Sequence, residues 1–245
     1  LKKNTNRKTS KKRVIDLTNE IKGKELTRTF RQTLRPRTEN QKEYIRSIVE
    51  NDIVICQGLA GTGKTHIAIG LALEYLMADK VKKIIITRPC VESGEKMGYL
   101  PGSAEEKLHP YLLPILDEIM HFISKDLYNS FKLHEKIEIV PLAHMRGRNF
   151  HHSFIVADEC QNAKYKQLKM LLTRLGMGSK MILTGDVGQS DLDWRDAGGF
   201  STVLNELRTI DRLDIVQLHA SDIVRNPIIA SILSRLDTYE QTLKG

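Results

Sequence analysis

Eight consecutive residues, Gly58-Leu59-Ala60-Gly61-Thr62-Gly63-Lys64-Thr65, have the spacing G-x-x-x-x-G-K-[ST]. Glycines let the backbone curl so that successive N–H groups point inward at an anion, and a helix beginning at the end of the curl adds its positive pole. A lysine at the seventh place reaches the β- and γ-phosphates of a nucleotide, and a hydroxyl at the eighth suits magnesium. The expected chemistry is capture of ATP with magnesium, Gly58 through His66 lining the phosphates. Glycine-rich turns that hold no nucleotide share the glycines but seldom the Lys-Thr ending.

A phosphate loop needs a second metal partner at the end of another buried strand. Phe154-Ile155-Val156-Ala157-Asp158-Glu159 supplies one: Asp158 for the magnesium, with Glu159 beside it to orient or deprotonate an attacking water. That pairing favours hydrolysis over transfer to a dedicated acceptor. Taken alone, both acids also suit the opening of a helix. Thr184-Gly185-Asp186-Val187-Gly188-Gln189 follows another apolar run. There Gln189 is the candidate for the γ-phosphate or the lytic water, while Thr184 and Asp186 shape the turn. On its own the segment also reads as an ordinary polar turn.

These groups act together only if strands deliver them to one edge. A helical stretch over 39–50, with Ile45, Ile48 and Val49 on one side, leads into the apolar run Ile53–Cys56. Further strand candidates are 84–87, 137–140, 154–157, 181–184 and 213–216, with helical stretches between most of them. The alternation predicts an α/β fold: one domain with a mostly parallel sheet covered by helices on both faces. Loops at the carboxyl ends of such strands form the ligand edge.

The composition sets the outer bounds. Hydrophobic residues make up 40% and charged residues 28% of 245, which suits a globular chain. Charged residues or glycine interrupt every apolar run, so no membrane span and no secretory signal is expected. Cys56, Cys90 and Cys160 form no C-x-x-C pair, which speaks against a zinc site or a disulfide framework and fits a reducing cytoplasm. Residues 1–37 carry 13 Lys and Arg against 3 Asp and Glu, leaving −2 of the chain's +8 for the rest. The expected division is a basic, partly disordered arm over 1–37 and an ATPase domain over 38–245. The arm reads either as an electrostatic hold on phosphate backbones or as a solvated tail.

The motifs together resemble the PhoH-like ATPases, relatives of superfamily 1 helicases. Besides the phosphate loop, the likeness rests on Asp158-Glu159-Cys160-Gln161-Asn162, Thr87-Arg88-Pro89, Gly98-Tyr99-Leu100-Pro101-Gly102 with Glu106-Lys107 and Pro110-Tyr111, and Asp222-Ile223-Val224-Arg225-Asn226-Pro227. The resemblance implies a RecA-like core that hydrolyses ATP, assembles as a homo-oligomeric ring, taken as a hexamer, and acts on RNA or another single-stranded nucleic acid. It places Gln41 against the adenine. It gives Arg225 the task of sensing the γ-phosphate, in its own subunit or a neighbour's; a surface helix residue is the alternative.

Two departures from the helicase pattern stand out. Ser190-Asp191-Leu192 replaces Leu-Pro-Pro, and no second motor domain is expected within the chain, which a ring would offset. Arg88 is open to two readings, a nucleic-acid contact or an ion pair with a nearby acid. Arg146 and Arg148, close to Phe150, suit phosphate contact with base stacking, unless Phe150 packs inward. Rival functions are a nucleotide-gated scaffold and a P-loop kinase.

Overall fold

The computed structural model describes residues 30–89, 104–192 and 196–224, with residues 232 and 235. Residues 1–29 of the basic arm, the Gly98–Gly102 segment, Cys90 and Arg225 lie outside the described residues.

Helix α1 spans Glu39–Glu50. Thr38 caps it, its hydroxyl accepting from the Gln41 N–H at 3.2 Å, and Glu39 lies in the first turn where a carboxylate suits the helix dipole. Strand β1 (Ile53–Gln57) runs into the glycine loop, from which α2 (Lys64–Met77) departs with Gly63 at φ 90°. There follow β2 (Lys83–Arg88), α3 (Ala104–Phe122), α4 (Lys125–Leu133), β3 (Ile137–Pro141), β4 (Ser153–Ala157), α5 (Tyr165–Leu172), β5 (Lys180–Gly185), α6 (Gly199–Glu206) and β6 (Leu213–Gln217).

The strands form one six-stranded sheet in the order β3-β2-β4-β5-β1-β6, every described pair parallel. All six apolar runs are strands, and the helical stretch over 39–50 is α1. Side chains alternate across the sheet as period two requires. Val54, Cys56, Ile84, Ile86, Phe154, Val156 and Ile182 join α1, α2 and α3 in one core. Ile55, Ile85, Ile155, Met181 and Leu183 join α5 and α6 in the other. The fold is α/β, with a doubly covered sheet. Phe30 bridges Ile123 and Leu34 packs on the first core, so these residues already lie against the body of the molecule.

Because every strand points the same way, Gly58, Arg88, Asp158 and Asp186 all emerge at one edge. Strand β5 lies between β1 and β4, with Cys56 level with Thr184 and Ala157 level with Leu183. Thr184 is thereby inserted between the glycine loop and Asp158.

Candidate active site

The loop from Gly58 to Thr65 is held from three sides. The Gly58 N–H donates to the Gly185 carbonyl at 3.1 Å, and the Val224 N–H donates to the Gly61 carbonyl at 3.3 Å. Beneath it, Gln41 donates through Nε2 to the Thr62 carbonyl at 2.9 Å and accepts the Arg37 N–H on Oε1 at 2.8 Å. Gln41 is only 4% exposed and braces the loop, leaving one amide hydrogen for a base. Gly61 and Gly63 have φ of 84° and 90°, the left-handed region where a side chain costs energy.

Lys64 Nζ donates to the carbonyls of Gly58 at 2.5 Å and Leu59 at 2.9 Å. An ammonium has three hydrogens, so one is left for an anion in the loop. His66 turns away: its Nδ1 pairs with Glu118 Oε1 on α3 at 2.5 Å, and its ring packs against Phe122. What His66 can offer an anion is its backbone N–H, which in the first turn of α2 has no intrahelical partner.

Asp158 joins the two halves of the site. Its Oδ1 accepts the Thr65 hydroxyl at 2.6 Å and the Thr184 hydroxyl at 2.6 Å, and its own N–H donates to the Thr87 carbonyl at 2.9 Å. Both hydroxyl hydrogens point at the carboxylate, so the lone pairs of Thr65 Oγ1 are free for a cation. One hydroxyl oxygen and one carboxylate make a donor set that fits magnesium, a hard ion that takes few protein ligands and completes its shell with phosphate oxygens and water. Among the described residues no cluster of three or more His, Cys, Asp or Glu offers a closed all-protein metal site. Two buried oxygens at this edge, Thr87 Oγ1 and Asp186 Oδ2, have no protein partner, which also suits an edge completed by solvent or ligand.

Glu159 stands beside Asp158 in the left-handed region, with φ 55° and ψ 41°. Its Oε2 accepts from Gln161 Nε2 at 2.5 Å, and its Oε1 lies 3.5 Å from Arg88 Nη2. Arg88 Nη1 is also 3.9 Å from Asp158 Oδ2. Of the two roles open to Arg88, the structure displays the ion pair. Gln189 is exposed at the same edge, its N–H donating to the Asp186 carbonyl at 3.1 Å.

The other predicted arginines sit elsewhere. Arg148 forms a fork with Glu138, at 2.6 and 2.9 Å, near Lys83 at the first residue of β2. Glu138 is level with Ile85 in β2, three residues before Arg88 at the end of that strand. The fork and Lys83 hold the Glu138 carboxyl down at about 2, against a smaller upward push from burial. Phe150 is 5% exposed beneath the Arg148 guanidinium, so it packs inward and is not free to stack on a base. Arg146 is exposed. Burial pushes the thiols of Cys56 and Cys160 up, which makes both packing residues.

A family model described as "PhoH-like protein" matches residues 33–237. The chain belongs to the PhoH family. It is 43% identical over 213 residues to the PhoH-like protein of Mycobacterium tuberculosis, a match that covers 87% of this chain and 60% of that one. To the PhoH-like protein of Bacillus subtilis it is 40% identical over 231 residues, covering 94% and 72% respectively. The chain thus spans 60% of the length of the mycobacterial relatives. Among solved structures, the large terminase of a thermophilic bacteriophage superposes with a TM-score of 0.51 at 10% identity, over 82% of this chain and 50% of that one. That likeness is one of fold alone. No described helix of this PhoH family member is long and apolar enough to cross a membrane.

Four site residues carry more than their sequence context assigns them. Gln161 is 4% exposed and touches Glu159 directly. Asp222 accepts the Asn40 side-chain N–H at 2.9 Å and the His219 N–H at 2.7 Å, tying the start of α1 to the segment that meets Gly61. Burial raises its pKa, but bonds from Thr38, His219 and Asn40 outweigh that and hold it below the usual carboxylate range. Ser190 and Asp191, where the helicase pattern has Leu-Pro-Pro, bond to the Gln161 carbonyl and the Asn162 side chain. Their place within the quoted motifs, or directly after Gln189, was the available signal; their partners depended on tertiary contact.

Proposed function

We propose that this chain binds ATP with magnesium and hydrolyses it. The observation that carries the reading is the Thr65–Asp158 hydrogen bond of 2.6 Å, which joins the phosphate loop to the strand bearing Glu159. The loop N–H groups and the remaining hydrogen of Lys64 hold the phosphates. Thr65 and Asp158 hold the magnesium, which when bound neutralises charge on the phosphate oxygens. Glu159 takes the proton of the attacking water, and Gln189 reads the γ-phosphate beside it. Arg225 completes charge neutralisation, from its own subunit or from a neighbour in a hexameric ring.

Association with RNA, and ring-helicase action upon it, belong to the same proposal. They are supported by the basic segment before residue 38 and by the family resemblance. The cytoplasm is the proposed setting. In the domain division we propose, residues 1–37 add electrostatic affinity and 38–245 carry the ATPase.

The test is steady-state ATP hydrolysis with magnesium, with and without single-stranded RNA, on the wild type, Lys64→Ala and Glu159→Gln. Turnover should be lost in Lys64→Ala and fall roughly 100- to 10,000-fold in Glu159→Gln while the latter still binds nucleotide. RNA should raise the wild-type rate. Tight binding with no turnover in the wild type would replace hydrolysis with nucleotide-gated assembly.

A further inference from the structure

A general base works only if its carboxylate is aimed, and Glu159 is poorly placed to aim itself. It stands at the end of β4 in the left-handed backbone region, with its side chain partly open to solvent. A flexible carboxylate there would sample several rotamers, only some of them facing the phosphate loop. One neighbour limits that freedom with a short bond. Gln161, two residues on in a 3-10 turn over Cys160–Asn162, donates through Nε2 to Glu159 Oε2 at 2.5 Å.

The amide is itself fixed. Its Oε1 accepts the Asp186 N–H at 3.0 Å, and the residue is 4% exposed. The room for it is built into the partner turn: a Cβ on Gly185 would fall 2.6 Å from Phe200 Cε1 and 3.1 Å from Gln161 Oε1. The same turn is bound to the 3-10 segment three more times. Ser190 Oγ donates to the Gln161 carbonyl at 3.1 Å, Asn162 Nδ2 donates to Asp191 Oδ2 at 2.8 Å, and the Asp191 N–H donates to Asn162 Oδ1 at 2.8 Å. The turn that carries Gln189 and the residue that carries the base therefore share one buried amide.

We propose that Gln161 is a positioning residue for hydrolysis: it aims the Glu159 carboxylate and ties that aim to the Asp186–Gln189 turn, so that displacement of the turn by the state of the γ-phosphate displaces the base. This rests on the reading of Glu159 as the base. The amide suits the task because it is a donor on one side and an acceptor on the other, and both are used. A buried amide with no such task would need partners too. What sets this one apart is that its partners are the base and the backbone of the turn facing the phosphates.

The experiment uses the full chain with two substitutions. Gln161→Met keeps length and removes both bonds. Gln161→Glu keeps an acceptor for the Asp186 N–H but removes the donor to Glu159. For each, kcat and KM for ATP hydrolysis with magnesium, the Kd of a fluorescent ADP analogue and the thermal midpoint are measured beside Glu159→Gln. Both variants should lose about 10- to 100-fold in kcat, the scale of a misplaced catalytic group, with the Kd within about threefold because the phosphate loop is untouched.

Wild-type kcat in Gln161→Glu would reduce Gln161 to an anchor of the turn and overturn the proposal. Wild-type kcat in Gln161→Met, which adds no charge and stays informative if the glutamate variant fails to fold, would overturn it equally. So would a loss of affinity matching the loss of kcat, the mark of general structural damage. Turnover retained in Glu159→Gln would overturn the assignment of the base and this proposal with it. Turnover lost there but intact in Gln161→Met would overturn this proposal alone.

Discussion

Replacing Thr184 by valine tests how the carboxylate at the centre of the site is held. Asp158 is 4% exposed, and its Oδ1 is shared by two hydroxyls, each at 2.6 Å. Valine keeps the shape of threonine and removes only the donor. A hydrogen bond to a charged acceptor contributes about 1.5–3 kcal/mol, and for a chain of this length each kcal/mol lowers the unfolding midpoint by roughly 2–4 °C. Thr184→Val should therefore unfold about 3–12 °C below wild type in a calorimetric scan without nucleotide.

Thr65→Val should behave alike in the scan and should also lose magnesium-dependent nucleotide affinity, because Thr65 faces the phosphate loop. The double variant is the sharper test. With both hydroxyls gone, the buried Oδ1 keeps neither hydroxyl donor and Arg88 remains 3.9 Å from Oδ2, so the combined cost should exceed the sum of the singles by about 0.5–3 kcal/mol. Simple additivity, or a Thr184→Val midpoint within about 1 °C of wild type, would refute the claim that these two hydroxyls hold Asp158.

Glu74, on α2, has its pKa pushed by burial from an ordinary 4.5 to about 7, with Lys80 pulling the other way. Between those values the unfolded chain ionises while the folded one stays protonated, so this group's contribution to stability declines as pH rises from 4.5 to 7 and the penalty is complete above 7. Glu74→Gln should flatten that slope and stabilise the protein at pH 8 by on the order of 2 kcal/mol, read by denaturant titration at several pH values; an unchanged slope would count against it. A Cβ on Gly58 would fall 2.7 Å from the Leu218 carbonyl. Gly58→Ala should cost about 1–3 kcal/mol and weaken nucleotide binding as the loop shifts, and unaltered affinity and stability would show that this close approach is not needed.

The strands were legible because apolar runs bounded by polar turns have few other uses in a chain of this composition. The run Phe154–Ala157 is β4 with one residue added at its start, and Ile84–Thr87 is β2 with one added at each end. Gly58–Thr65 was legible for a different reason: a backbone wrapped round an anion restricts residue type at many neighbouring positions at once. Phe150 was ambiguous because a buried aromatic and a stacking one look alike in a sequence. Arg148 was ambiguous because the acid that engages it, Glu138, is ten residues away on another element.

By itself, then, the sequence determined the alternation of strands and helices, the phosphate loop, and the presence of Asp158 and Glu159 at the end of a buried strand. Those are local properties, written in periodicity and in the spacing of neighbouring residues. Tertiary structure alone decided that β5 lies between β1 and β4, which puts the Thr184 hydroxyl on Asp158, and that Gln161 reaches both Glu159 and Asp186. It also turned His66 toward Glu118 and engaged Arg88 with the acids. Strand order and side-chain partners depend on which surfaces pack together, and residues 26 or 93 positions apart in the chain carry no local mark of meeting.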